Sequence, residues 1–157
     1  MYTVLFLCTG NTCRSPMAEW LLLRQLKILG MADSVNVQSA GLYALLGEAL
    51  STGALEALQR GFSLHAATHR ARPLDRDMVE KADLIITMTT GHKQSVIERF
   101  PQAKGKLYTL LEYCDMGPDI DVADPFGGSF EVYEQTAKQI DAACANLAKR
   151  LQQQLGK

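Results

Sequence analysis

Short apolar runs and longer amphipathic segments take turns along the chain. Residues 2 to 7, YTVLFL, are continuously apolar with β-branched and aromatic members, which predicts a strand buried on both faces and therefore a parallel sheet. A glycine-containing loop follows, and MAEWLLLRQLKIL then continues as a helix to Gly30. Ser15 is placed to cap this helix, Pro16 to take its first position and Gly30 to stop it. SVNVQSAG (34 to 41) alternates Val35 and Val37 as a second strand, and STGALEALQRG (51 to 61) reads as a helix opened by Ser51 and closed by Gly61. The alternation goes on with a short helix in DRDMVEKA (75 to 82), a buried strand in DLIITM (83 to 88), a helix in GHKQSVIERF (91 to 100) stopped by Pro101, and a fourth strand in KLYTL (106 to 110). From Ser129 onward Val132, Thr136, Ile140, Ala143, Leu147 and Leu151 recur at spacings of three and four, the buried stripe of a long closing helix.

This order predicts an α/β fold: one domain spanning residues 1 to 157, a doubly wound sheet of about four parallel strands with helices on both faces, and ligands bound beyond the carboxyl ends of the strands. Composition agrees, since 157 residues at 47% hydrophobic suffice for a core without disulfides or metal. Charge narrows the function. Sixteen basic and 17 acidic side chains give a net charge of -1 with no basic run, so neither nucleic acid nor a membrane surface is an expected partner. The apolar start lacks a basic flank and no window approaches a membrane span, so a cytoplasmic protein is expected. Cys8, Cys13, Cys114 and Cys144 then read as reactive or packed thiols rather than a disulfide framework. Their spacing, with His65, His69 and His92 between, fits no usual zinc set, and no metal or other cofactor is expected.

The loop after the first strand, LCTGNTCRSP (7 to 16), carries the densest chemistry. Cys8 and Arg14 flank five residues, and the loop ends at a helix start, where free backbone N–H groups and the helix dipole favour an anion. The same field favours a thiolate, which makes Cys8 a candidate nucleophile. Arg14 offers a planar fork for two phosphoryl oxygens. Gly10 permits, and Asn11 tolerates, the backbone turn that points successive amides inward, so Thr9, Gly10, Asn11, Thr12 and Cys13 read as a phosphate cradle. Ser15 is placed to hold the thiolate or assist its departure, and Cys13 to pair with Cys8 under oxidation.

A phosphothiol route also needs one group to protonate the leaving group and then to activate water. The longest loop, EYCDMGPDIDVADPFGG (112 to 128), supplies Asp124, stiffened by Pro125 and followed by Phe126 as an aromatic wall. Asp115, Asp119 and Asp121 compete for the same role.

CTGNTCRSPMAE near the start and DVADPFGG near the end resemble the low molecular weight protein tyrosine phosphatase family over nearly the whole chain. The resemblance implies that Cys8 becomes a phosphocysteine, that Arg14 binds phosphoryl oxygens and that Asp124 is the general acid and base. It further implies that Asn11, Ser15, Ser39 and His69 form a network supporting the cradle. Thr12 stands where tyrosine-specific members usually carry an apolar residue, and with DLIITMTTGHK and DPFGGSFEVYEQT it resembles the protein arginine phosphatase branch. Phosphorylated proteins are then the expected partners, with phosphoarginine the expected target and phosphotyrosine the alternative. An arsenate reductase fits less well because the further cysteine pair such enzymes use is missing from DLIITMTTGHK. A non-catalytic phosphate-binding module would require neither Cys8 nor Asp124.

Overall fold

Alternate residues of the first strand serve two different cores. In the computed structural model, which describes residues 1–118 and 120–156, β1 (Tyr2–Cys8) sends Val4, Phe6 and Cys8 into one apolar cluster and Leu5 and Leu7 into another. That is the signature of a parallel strand covered by helices on both sides. β1 lies between β2 (Val35–Gly41) and β3 (Leu84–Thr87), and β4 (Leu107–Thr109) pairs with β3, all parallel, in the order β2-β1-β3-β4.

The first cluster packs under α1 (Arg14–Ile28), α2 (Thr52–Phe62) and the long α6 (Phe130–Gln154), through residues such as Leu21, Leu58, Ile140 and Leu147. The second packs under α3 (Arg76–Lys81) and α4 (Thr90–Arg99), through Val79 and Val96. A 3-10 turn over Pro101–Lys106 and the short α5 (Leu110–Tyr113) flank β4. From β1 the chain first steps one way to β2 and then crosses back to β3. The strand order therefore reverses beside the carboxyl end of β1, where α/β sheets form their ligand crevice. Among the described residues no helix is long and apolar enough to cross a membrane.

Several boundaries differ from the sequence expectation, each for a local reason. α1 begins at Arg14 with Cys13 at its N-cap position and no side-chain cap, so Ser15 lies inside the first turn and Pro16 is its third residue. The Ser15 hydroxyl faces Cys8 instead of the helix amides. Gly30 does stop the helix, at φ 71°, with Met31 N–H donating to Leu26 O at 2.8 Å in a Schellman closure. Gly61 does not close α2; Ser63 takes the left-handed conformation one turn edge later, at φ 56°. Val132, in the first turn of α6, is 42% exposed although it falls on the apolar stripe, while Thr136, Ile140, Ala143, Leu147 and Leu151 of that stripe are buried. Residues 112 and 113 of the expected loop belong to α5, whose start is fixed by a Thr109–Glu112 capping box.

Candidate active site

Cys8 ends β1 nearly buried, and the turn that follows it is held from behind by one side chain. Asn11, fully buried, takes the left-handed backbone at φ 56°, a conformation asparagine tolerates better than most residues. Its Oδ1 accepts from the Arg72 backbone N–H at 3.1 Å. An amide proton can only donate, so this contact fixes the orientation of the carboxamide and leaves Nδ2 to donate to Ser15 Oγ and Ser39 Oγ, both at 2.9 Å. Ser39 in turn donates to Glu19 Oε1 at 2.5 Å. Ser15 Oγ, which accepts from Asn11, lies 2.9 Å from Cys8 Sγ and 3.4 Å from the Ala40 carbonyl oxygen, so its proton can serve either; once Cys8 is a thiolate, only the serine can donate in that pair. His69 Nε2 lies 2.7 Å from the Asn11 carbonyl oxygen. Asn11, Ser15, Ser39 and His69 are thus one hydrogen-bonded unit behind the loop.

The front of the loop is open to ligand. None of the backbone N–H groups of Gly10 to Cys13 meets a protein acceptor among the described residues, and α1 begins immediately after them, so donors and dipole point the same way. Cys8, Thr9, Gly10, Thr12, Cys13, Arg14, Asp124 and Phe126 line a cavity of about 180 Å³. Arg14 is buried, anchored by its Nη1 to the Val122 carbonyl at 2.9 Å, with Nη2 3.6 Å from Asp124 Oδ2. Asp124 is half exposed and uses Oδ1 to accept the Phe126 N–H at 3.1 Å, a local turn that aims the other oxygen at the cavity. Phe126 is 77% exposed, so it is a rim rather than a packed wall. Cys13 is a buried free thiol whose pKa burial pushes up to about 12, with Cys8 and Asp124 adding to the effect.

The competing aspartates fall elsewhere. Asp121 accepts from both the N–H and the hydroxyl of Thr90, at 2.7 and 2.9 Å. Asp115 turns the chain after α5 with a φ of 55°, and Asp119 lies outside the described residues. With the Val122 N–H donating to Met88 O at 2.8 Å, the Asp121 clasp ties the long loop to the β3–α4 junction, which is what brings Asp124 over Arg14.

Four contributions were not read from the sequence. Glu19 extends the network, and burial raises its carboxyl above the ordinary value. Arg72 supplies the N–H that orients Asn11. Gly41 has no room for a side chain: a Cβ there would lie 2.7 Å from Thr9 O and 2.9 Å from Asn11 N, both backbone atoms of the cradle. His92, in the first turn of α4, places Nε2 2.9 Å from Thr9 Oγ1. All four are long-range contacts. The one available signal was that His92 follows β3, at the sheet end where ligands bind.

The model of the low molecular weight phosphotyrosine protein phosphatase family matches residues 3–157. A protein-arginine-phosphatase of Geobacillus stearothermophilus is 41% identical over 152 residues, 96% of this chain and 97% of that one. The low molecular weight protein-tyrosine-phosphatase PtpB of Staphylococcus haemolyticus is 38% identical over 137 residues, 87% of this chain and 91% of its own. Among solved structures, a cysteine-to-serine mutant of the YwlE arginine phosphatase with a phosphorylated active-site serine superposes with a TM-score of 0.89 at 40% identity, covering 96% of this chain and 95% of that one. With the buried thiol, the arginine and the anion-ready loop already in place, the chain belongs to the low molecular weight phosphotyrosine protein phosphatase family.

Proposed function

We propose that this protein hydrolyses phosphoarginine in proteins through a phosphocysteine formed on Cys8, in the cytoplasm and without a metal or other cofactor. The observation that carries the reading is Thr12 on the cavity wall together with Asp124 and Phe126, in a chain similar to a named protein-arginine-phosphatase. A guanidinium is planar and cationic, so it gains from a carboxylate and an aromatic rim, whereas a phenyl ring gains more from a branched hydrocarbon in place of Thr12.

The chemistry follows from the positions. Loop amides and the Arg14 fork hold three phosphoryl oxygens, and Cys8 Sγ attacks phosphorus from below as the P–N bond breaks. Asp124 delivers its proton to the departing guanidine nitrogen. The same carboxylate then takes a proton from water, whose oxygen attacks the phosphocysteine, breaks the S–P bond and returns Cys8 as a thiolate with Ser15 donating to it. Cys13, held as a neutral thiol, stays out of these steps.

The similarity to PtpB keeps phosphotyrosine as the second reading. The test is kcat/KM for matched peptides carrying phosphoarginine or phosphotyrosine, on the wild type and Thr12→Ile, with Cys8→Ser as the control that keeps binding and loses turnover. Preference of the wild type for phosphoarginine, and a shift of about tenfold toward phosphotyrosine in Thr12→Ile, are the expected results. Preference for phosphotyrosine in both proteins makes this a tyrosine phosphatase, and equal turnover by Cys8→Ser removes the phosphocysteine.

A further inference from the structure

His92 is an ionisable side chain beside the cavity that the reaction above does not use. It is 9% exposed, and its backbone N–H is taken by the Thr89 cap at 3.1 Å, which fixes the main chain at the helix start. Nε2 lies 2.9 Å from Thr9 Oγ1, and among the described residues Nδ1 has no hydrogen-bond partner. Thr9 itself is exposed and lines the cavity.

Burial, reinforced by the Arg14 charge, pushes the imidazole down to about 4, against the opposing pull of Asp121 and Asp124. The ring is therefore neutral at physiological pH and carries one N–H. Were that proton on Nδ1, a buried donor would be left without an acceptor, the rarer and costlier kind of orphan. Placed on Nε2, it donates to Thr9 Oγ1 and leaves only a bare lone pair on Nδ1. The consequence lies one bond further on. A hydroxyl that accepts from His92 keeps its own proton for another acceptor, and the cavity is the side on which Thr9 is open.

We propose that His92 is a positioning residue which, by donating from Nε2 to Thr9 Oγ1, aims the Thr9 hydroxyl proton at a phosphoryl oxygen in the cradle. Thr9 thereby adds a side-chain donor to the backbone amides, on the side of the loop facing α4. This rests on the phosphate-cradle part of the function proposed above and is independent of which phosphorylated residue is cleaved.

Tungstate, a phosphate mimic that needs no turnover, separates the two ideas. Its Kd, measured by calorimetry, is expected to rise about tenfold in Thr9→Val and in His92→Phe, the usual worth of one hydrogen bond to a charged acceptor. On the Thr9→Val background, His92→Phe is expected to add nothing; with Thr9 intact, His92→Gln, which replaces the ring N–H by an amide donor, is expected to keep most of the wild-type affinity. Full additivity of the two losses, or a His92→Phe protein that binds tungstate like the wild type, overturns the proposal. Should His92→Phe fail to fold, the wild-type tautomer still decides: imidazole nitrogen shifts in a long-range 15N–1H spectrum are expected to show Nε2–H, and an Nδ1–H ring overturns it. Failure of the phosphoarginine reading would show in the peptide kinetics and leave these affinities unchanged.

Discussion

The two halves of the site are built on opposite principles. The cradle, from Cys8 to Ser15, is fixed by partners drawn from α1, β2 and the loop before α3: Glu19, Ser39 and the Arg72 backbone behind Asn11, and Gly41 against the loop backbone. The acid segment, Asp124 to Gly128, is exposed apart from Pro125 and rests on a few contacts at its base, the Asp121–Thr90 clasp and the Arg14–Val122 bond. In the proposed reaction phosphate is the same in every substrate, and the part that would bind it is the part with the most contacts behind it. The leaving group differs between substrates, and the part that meets it is a short exposed stretch of loop. The exposed segment can thus change around a fixed cradle, with Thr12 the cradle residue proposed to discriminate between leaving groups.

Three measurements sharpen or break this division. Asp124→Asn keeps the acceptor for the Phe126 N–H but cannot transfer a proton, so kcat is expected to fall by about 10²- to 10⁴-fold. Tungstate Kd should stay the same or tighten, since a negative charge 3.6 Å from Arg14 is gone. A large loss of tungstate affinity would mean that the acid segment also shapes the cradle. Gly41→Ala is the converse. A methyl placed against Thr9 O and Asn11 N should lower stability by about 1–3 kcal/mol and weaken tungstate binding, read by chemical denaturation and calorimetry. Unchanged values for both would show that the loop is softer than its contacts imply.

The smallest effect concerns pH. Burial raises the Glu19 carboxyl above its ordinary 4.5, so the folded state binds this proton more tightly than the unfolded chain, and stability falls as pH rises through the interval above 4.5. Glu19→Gln keeps an acceptor for Ser39 and does not titrate. Its Tm relative to wild type is expected to be lower or equal at pH 4 and to gain steadily toward pH 7. A Tm difference that is flat with pH would mean that folding leaves the Glu19 carboxyl unshifted, and one that falls toward pH 7 would place its charge among the favourable members of the network.

What the sequence disclosed was mostly local. The apolar run of β1, the Gly-Asn turn and the Cys8 to Arg14 spacing lie within thirteen consecutive residues, 2 to 14, and their geometry follows from neighbours in the chain. Asn11 adopts the left-handed backbone expected of it. Ser15 misled because serine before proline at a helix start is ordinarily a cap, and here a tertiary partner, Cys8, takes the hydroxyl. Asp124 could not be separated from Asp121 by composition; only the fold shows one clasping Thr90 and the other over Arg14. Glu19, Gly41 and His92 were illegible because each acts on a residue at least twenty positions away.

One further feature sets how this molecule can be engineered. The ring of Tyr133, near the start of α6, occupies the space where Gly53 of α2 lacks a side chain, and the Asp121 clasp holds the other end of the same stretch. Fastened at both ends, the stretch between them leaves Ala123 and Phe126 exposed, whereas Gly127, at φ 79°, takes a side chain only with strain, so a library confined to Ala123 and Phe126 would vary the rim around an unaltered cradle.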